Sequence, residues 1–221
     1  MTKSIKSVIV IGATGLVGRE LLKQLNALQE CEHITAVVRH EDAKLKTLKK
    51  VNQFILDDFL LLNDEDVNGY THAFSCLGTT LKKAGSKQQF YNIDYEINAH
   101  FADLLEATTT HYGLISAMGA NPDSKFFYNK VKGELEHHIQ RLKLESVSIL
   151  RPSLLLGERS EQRLLEEATQ TLYQKISHLV PDTFKYKPVT AEQVAHTMIE
   201  AAQTQIDKFE IYDNLRIQNS K

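Results

Sequence analysis

The chain has 221 residues, of which 42% are hydrophobic and 24% are charged, and its formal net charge is −2. This is the composition of a globular protein of about one domain. The lack of a basic excess argues against nucleic-acid and lipid-surface binding, and no stretch reaches the ~18 apolar residues of a membrane span. The start lacks the apolar core of a signal peptide, and two cysteines are too few for a disulfide framework. We therefore expect a soluble, cytoplasmic protein with a single domain over residues 1–221.

Short apolar runs alternate with helical patterns along the chain. The first run, Ser7 to Ile11, is continuous and ends in glycine, as expected of a strand buried on both faces. Further strands are predicted over residues 34–38, 53–56, 73–77, 112–116, 147–150 and 209–212. Apolar residues at helical spacing predict helices over residues 16–28, 93–104, 131–142, 161–178 and 191–202. Strands that alternate with helices form right-handed crossovers, so we predict an α/β fold with a doubly wound parallel sheet.

The pattern becomes irregular after Pro152, where a loop is predicted over residues 181–188 between two helices. In an open α/β sheet, ligands bind in the crevice outside the carboxyl ends of the strands. We therefore expect a small irregular C-terminal region, about residues 152–221, to cap the substrate side of this crevice without forming an independent domain.

A glycine-rich turn follows the first predicted strand and opens an amphipathic helix. Gly12, Gly15 and Gly18 have the spacing G-x-x-G-x-x-G. Such glycines permit a tight turn, a close approach of backbone to a pyrophosphate, and close packing of the helix on the sheet. The phosphates then meet the free N–H groups and the positive end of the helix. We predict that this turn binds a dinucleotide through Gly12, Ala13, Thr14, Gly15, Leu16, Val17 and Gly18.

The tips of the next strands indicate which dinucleotide is bound. A carboxylate about 20 residues after the glycine motif holds the ribose of NAD, whereas an arginine there accommodates a 2′-phosphate. The second strand ends in Arg39, ahead of the first acidic residue, so we predict NADP(H) as the cofactor. Asp57, after the third strand, is placed to border the adenine. Leu77, Gly78 and Thr79, after the fourth strand, are placed near the ribose and pyrophosphate.

Tyr128 and Lys132 form a Tyr-x-x-x-Lys unit, and Ser116 precedes the tyrosine by twelve residues. One helical turn separates the two side chains, which puts them on one face, and a nearby ammonium favours the ionised form of a phenol. Lys132 also lies on the apolar stripe of its helix, where a lysine needs a partner such as ribose hydroxyls. We predict that Tyr128 is the acid–base group, that Lys132 assists it and binds the cofactor, and that Ser116 holds the substrate oxygen.

These motifs resemble the short-chain dehydrogenase/reductase superfamily, and more closely its atypical group typified by the Tat-interacting oxidoreductase-like proteins. The resemblance implies a Rossmann fold, NADPH as ligand, Tyr128 as proton donor and Lys132 as cofactor anchor. It also implies that the segment after Arg151-Pro152 borders the nicotinamide, which adds Pro152 to the cofactor site. The blocks that carry it are residues 12–19, 76–80, 83–85, 94–95, 116–120, 128–134 and 151–152.

The sequence departs from the group at two points. The group often has paired serines where this chain reads Ser116-Ala117, and the helical asparagine of the superfamily's proton relay aligns only loosely with Asn92. The group implies no particular substrate. The nine histidines show no zinc-ligand spacing, so we expect no metal site.

The sequence thus predicts an NADP(H)-dependent oxidoreductase that acts on a carbonyl or alcohol of unknown identity. A homodimer or a protein partner is compatible with this prediction. The alternative is an NADPH-binding redox-sensing or assembly protein that acts through a protein partner. A third interpretation, a nucleotide-sugar isomerase or epimerase, uses the same residues but needs a larger C-terminal pocket than this chain offers.

Overall fold

The computed structural model describes residues 3–156 and 184–220. Its strands are β1 Ser7–Ile11, β2 His33–Val38, β3 Val51–Ile55, β4 His72–Ser75, β5 His111–Ile115, β6 Ser146–Leu150, β7 Leu155–Leu156, β8 Val189–Thr190 and β9 Phe209–Tyr212. Its α-helices are α1 Leu16–Ala27, α2 Asp64–Val67, α3 Leu81–Ala84, α4 Lys87–Tyr91, α5 Ile97–Leu104, α6 Phe127–Arg141, α7 Ala191–Thr204 and α8 Asn214–Asn219. Short 3₁₀ helices lie at Leu45–Thr47 and Phe59–Leu61, and a π-helical turn, Asn92–Glu96, joins α4 to α5.

Seven strands form one sheet in the order β3-β2-β1-β4-β5-β6-β9. Every neighbouring pair in this sheet is parallel. The strand order reverses between β1 and β4, and this is where an open α/β sheet leaves a ligand crevice at its carboxyl edge. The predicted doubly wound parallel sheet is therefore confirmed, with the glycine turn after β1 at the point of reversal.

Helices cover both faces of the sheet because successive residues of a strand point to opposite sides. Val8 and Val10 of β1 pack into the core under helices α1, α7 and α8. Ile9 and Ile11 pack into the opposite core, under α2, α5 and α6. The continuous apolar run of β1 thus reflects burial on both faces, as the sequence indicated.

Other element bounds differ modestly from the sequence predictions. The strand predicted over residues 73–77 is β4, His72–Ser75, so Leu77 lies in the loop that follows it. The helix predicted over residues 93–104 begins earlier, as α4, and contains the π-turn. Strands β7 and β8 pair in a separate two-stranded parallel sheet that the sequence did not indicate.

Part of the predicted cap lies outside the described residues, including the helix predicted over residues 161–178. The single-domain assignment over residues 1–221 stays a prediction. No helix within residues 3–156 and 184–220 has the length and apolarity needed to cross a bilayer.

Candidate active site

The glycine turn is built so tightly that side chains cannot be added at two of its three glycines. Gly12 has a φ of 73°, the left-handed conformation that favours glycine. A Cβ at Gly12 would lie 2.4 Å from the carbonyl carbon of Cys76 and from the backbone nitrogen of Leu77. A Cβ at Gly18 would lie 2.2 Å from the carbonyl oxygen of Gly12. The turn therefore packs directly against both helix α1 and the loop after β4.

Gly15 caps helix α1 and leaves its amino end open. The first turn of the helix reads Leu16-Val17-Gly18 and carries no carboxylate, so nothing in that turn offsets the positive end of the helix dipole. Thr14 and Gly15 are exposed, whereas Ala13, Val17 and Gly18 are buried. Exposed backbone N–H groups at a helix amino end are the groups that bind a pyrophosphate. Thr14 and Gly15 are thus exposed at the point where a pyrophosphate is predicted to bind, although the Gly15 N–H already donates to the Gly12 carbonyl at 3.0 Å.

Arg19 ties the glycine turn to the loop after β2. Its Nε donates a hydrogen bond to the Thr14 carbonyl at 3.0 Å, and its Nη2 lies 2.6 Å from Oδ2 of Asp42. This hydrogen bond and charge lower the pKa of Asp42 below its usual range. Arg39 lies beside this loop, one residue past β2, and is exposed. Asp57 is also exposed, two residues past β3, so both predicted adenosine-side residues lie at the carboxyl edge of the sheet.

A buried ion pair joins helix α6 to the π-turn Asn92–Glu96. The Nζ atom of Lys132 lies 2.7 Å from Oδ1 of Asp94, and the two side chains are 4% and 0% exposed. The other oxygen of Asp94 accepts the backbone N–H of Thr79 at 2.9 Å. A Cβ at Gly78 would come within 3.2 Å of Oδ1 of Asp94 and 3.5 Å of Nζ of Lys132. The loop that is predicted to border the cofactor therefore passes directly over the ion pair.

Asp94 explains how a lysine can lie on the buried side of α6. Burial alone lowers the pKa of Lys132, but the charges of Asp94, Tyr128 and Glu136 favour the ammonium, and the resulting pKa lies above the usual value. Lys132 is therefore charged across the physiological range. The sequence predicted a partner such as ribose hydroxyls for this lysine, and the structure shows that the Asp94 carboxylate is one partner.

Tyr128 lies in the first turn of α6, one turn before Lys132 and partly buried. Its ring packs against Phe90 with centroids 5.6 Å apart. The loop before α6 lies close to the helix at Gly133, where a Cβ would come within 2.1 Å of the Asn121 backbone. This contact, together with the hydrogen bond from the Asn121 N–H to the Asn129 carbonyl, fixes the approach of the chain to Tyr128.

Ser116 follows β5 and is buried, but its hydroxyl points to a carboxylate. It donates a hydrogen bond to Oε1 of Glu136, one turn beyond Lys132 on α6. Arg151, which follows β6, donates its Nε to both oxygens of Glu136 at 3.0 and 3.1 Å, and its Nη2 forms an ion pair with Oε2. The Pro152 carbonyl accepts the Met118 N–H at 2.9 Å. These bonds connect the tips of β5 and β6 to helix α6.

The predicted site residues thus converge at the carboxyl edge of the central strands, where the glycine turn, the loop after β4, Ser116 and the start of α6 meet. Sequence reasoning missed Asp94 and Glu136. Asp94 is part of an Asp94-Tyr95 block that carried the family resemblance, and Glu136 is four residues after Lys132, so helical spacing was the available signal. Within residues 3–156 and 184–220, no three His, Cys, Asp or Glu side chains come together as metal ligands would.

Comparison with known proteins identifies the family. Residues 12–205 match the profile of the NAD(P)H-binding family, a span that runs from the glycine turn to the end of α7. The chain belongs to this family. The family is described as NAD(P)H-binding, so NAD(P)H binding is established at the family level.

Two curated relatives match most of the chain. The protein FMP52-1, mitochondrial, of Scheffersomyces stipitis is 34% identical over 207 residues, which cover 91% of this chain and 90% of the relative. The protein HTATIP2 of Rattus norvegicus is 35% identical over 162 residues, which cover 72% of this chain and 66% of the relative. The resemblance that the sequence motifs indicated is confirmed.

Solved structures share the fold at low sequence identity. A putative NAD-dependent epimerase/dehydratase from Bacillus halodurans has a TM-score of 0.68 at 19% identity, and the match covers 96% of this chain and 98% of that one. UDP-glucuronic acid 4-epimerase from Bacillus cereus, in complex with NAD, has a TM-score of 0.69 at 12% identity and covers 94% and 76%. These neighbours support the Rossmann fold and say nothing further about the substrate.

The expected cytoplasmic location is wrong. The relatives from Scheffersomyces stipitis, Candida albicans, Debaryomyces hansenii and Meyerozyma guilliermondii are all named as mitochondrial proteins. The prediction rested on the lack of an apolar signal-peptide core, which excludes a secretory signal but carries no information about other compartments.

Proposed function

We propose that this protein is an NADP(H)-dependent oxidoreductase of the short-chain dehydrogenase/reductase type that interconverts a carbonyl and an alcohol. The observation that carries the proposal is the buried, charged Lys132, one helical turn from Tyr128 and directly beneath the loop after β4. A lysine is rarely buried unless it is paired, and the pair that Lys132 forms with Asp94 lies at the same sheet edge as the glycine turn.

The cofactor, when bound, supplies or accepts a hydride at its nicotinamide ring. In the reducing direction, the substrate carbonyl carbon gains the hydride and its oxygen gains the phenol proton of Tyr128, which yields an alcohol and the oxidised cofactor. Lys132 stabilises the resulting phenolate by its charge and binds the cofactor ribose. To orient the substrate oxygen, Ser116 turns its single hydroxyl proton from Glu136 to that oxygen. Pro152 borders the nicotinamide side of the site.

The preference for NADP(H) rests on the tip of β2. Arg39 is exposed there, and the two acidic residues that follow it in the chain are already paired, Glu41 with Lys46 and Asp42 with Arg19. Asp42 is therefore a poor partner for the ribose hydroxyls of NAD, whereas Arg39 provides a positive charge for a 2′-phosphate.

Turnover of NADPH with a panel of aldehydes, ketones and quinones tests the proposal. Tyr128→Phe removes the proton and little else, so it is expected to abolish turnover while NADPH affinity stays within a few-fold. Tyr91→Phe is the matched control, because this tyrosine stacks on Tyr95 nearby with ring centroids 4.7 Å apart and has no assigned role. Full activity in Tyr128→Phe would contradict the mechanism. NADPH binding by the wild type without turnover of any substrate would favour the redox-sensing or assembly role instead.

A further inference from the structure

We propose that Gln53 is a positioning residue for cofactor selectivity, whose side-chain amide holds residues 39–42 in the shape that presents Arg39 to the 2′-phosphate of NADP(H). The inference rests on the proposed preference for NADP(H). It adds a residue of β3 that the sequence motifs did not indicate, and a reason why the acidic residue that ends this loop does not bind the ribose of NAD.

Gln53 binds the backbone of Asp42 with both ends of its amide. Its Oε1 accepts the Asp42 N–H at 2.7 Å, and its Nε2 donates to the Asp42 carbonyl at 3.0 Å. One side chain thereby satisfies the donor and the acceptor of one residue, as a neighbouring strand would. The two bonds connect the loop after β2 to the middle of β3, where Gln53 pairs with Ala36 of β2.

Arg39 lies between two points that β3 holds. On one side, the Val38 carbonyl accepts the Leu56 N–H at 2.9 Å, at the end of the β2–β3 pairing. On the other side, Gln53 holds Asp42, so the span between the two points is three residues long. Holding both ends of so short a span removes conformational freedom that would otherwise be lost when a phosphate binds to Arg39.

The same region of the loop keeps the carboxylate of Asp42 occupied. It forms an ion pair with Nη2 of Arg19 at 2.6 Å and accepts the Lys44 N–H at 2.9 Å. A carboxylate after the second strand is the group that binds the ribose hydroxyls of NAD. While Gln53 holds the Asp42 backbone, this carboxylate stays with Arg19, so the loop offers the cofactor the guanidinium of Arg39 instead.

Titration calorimetry with NADPH and with NADH tests the inference. Gln53→Met keeps the length of the side chain and removes both hydrogen bonds. We expect NADPH binding to weaken about fivefold, the effect of roughly one net hydrogen bond. NADH binding should not weaken, because NADH lacks the phosphate that Arg39 binds.

Asn52→Ala is the matched control, because Asn52 precedes Gln53 on the same strand, is exposed, and bonds His33 at 3.2 Å on the opposite face of the sheet. It should leave both affinities unchanged. An unchanged NADPH affinity in a folded Gln53→Met protein, or an equal weakening of both cofactors, overturns the inference, since a purely structural role would affect the two cofactors alike.

Gln53→Asn decides the question if Gln53→Met does not fold. Its amide is one methylene shorter, so it cannot keep both backbone groups of Asp42 within hydrogen-bonding distance. The same selective loss of NADPH affinity is expected, and its absence would overturn the inference. Circular dichroism confirms that each variant is folded.

The double variant Arg39→Ala/Gln53→Met shows whether Gln53 acts through Arg39. If it does, the second substitution weakens NADPH binding no further than Arg39→Ala alone, whereas a further weakening of about fivefold would overturn the inference. Failure of the proposed NADP(H) preference is distinct, because Arg39→Ala by itself would then leave the ratio of the two affinities unchanged. If Arg39→Ala lowers that ratio and Gln53→Met does not, the preference stands and the role of Gln53 fails.

Discussion

Lowering the pH from 7 to 5 should destabilise the fold through two histidines at the amino edge of the sheet, opposite the candidate active site. His72 and His111 begin β4 and β5 and lie side by side in register, with ring centroids 5.5 Å apart. Both are buried, at 3% and 4% exposure. Ser146 and Ser148 hold the two nitrogens of His111 at 3.0 and 2.9 Å, whereas Nε2 of His72 is buried and has no hydrogen-bond partner among the residues that the structure describes.

The expected loss of stability follows from the pKa of each ring. Burial lowers the pKa of His72 from 6.5 to about 4 and that of His111 from 6.5 to about 3. Below pH 6.5 the unfolded chain therefore binds more protons than the folded one, so the free energy of unfolding falls as the pH falls toward the folded-state values. Between pH 7 and pH 5, the contribution of each ring to the free energy of unfolding falls by about 2 kcal/mol. The two rings together lower the free energy of unfolding by about 4 kcal/mol, a large part of the 5–15 kcal/mol that is typical of a domain.

Urea unfolding at pH 7 and pH 5 measures this loss, and His72→Phe isolates one ring. Phenylalanine fits the stack on Phe74, which lies 6.2 Å away between ring centroids, and it removes the unpaired nitrogen. We expect the pH-dependent loss to shrink by about 2 kcal/mol. His40→Gln, at an exposed position, should leave the loss as in the wild type. An equal pH dependence in His72→Phe and the wild type would refute the reasoning, because carboxylates elsewhere would then account for the acid sensitivity.

Two further substitutions examine the cofactor site. Arg39→Ala should lower the preference for NADP(H) over NAD(H) about tenfold, the equivalent of 1.4 kcal/mol. The preference is measured as the ratio of the two dissociation constants. An unaltered ratio, or an equal effect of the control Lys44→Ala in the same loop, would argue against a role of Arg39 in binding the 2′-phosphate. Gly18→Ala should weaken NADPH binding at least about tenfold and cost roughly 1–3 kcal/mol of stability, because its Cβ would lie 2.2 Å from the Gly12 carbonyl oxygen. Titration calorimetry and urea unfolding check both effects, with Lys23→Ala on the exposed side of α1 as the control.

Patterns that depend on local periodicity could be predicted from the sequence. The apolar run before Gly12 predicted β1 with the bounds that the structure has, Ser7–Ile11, and the spacing of Val17, Leu21 and Leu25 predicted the buried face of α1. Alternating strands and helices were sufficient for a parallel sheet, since each crossover has one favoured hand. Even the last strand, β9, was placed correctly from four residues.

Contacts between distant segments could not be predicted in the same way. Asp94 reaches Lys132 because a π-turn shifts the helix register, and an apolar stripe averages over such a local insertion. Ser116 meets Glu136 across 20 residues, a contact that depends on how α6 crosses the tips of β5 and β6. The pairing of β7 with β8 joins segments more than thirty residues apart. In each case the decisive partner is fixed by packing rather than by spacing.

The clasp that Arg19 forms between Thr14 and Asp42 has a consequence for ligand entry. Because Arg19 already holds the glycine turn, the turn loses little conformational entropy when a phosphate binds. Most of the free energy of its contacts with the phosphate therefore contributes to affinity. The exposed amide hydrogens at the amino end of α1 should exchange fast in the protein alone, and saturation with the dinucleotide should slow them. Without the Arg19 contacts, the glycine turn would have to become ordered when the dinucleotide binds, and the affinity would fall.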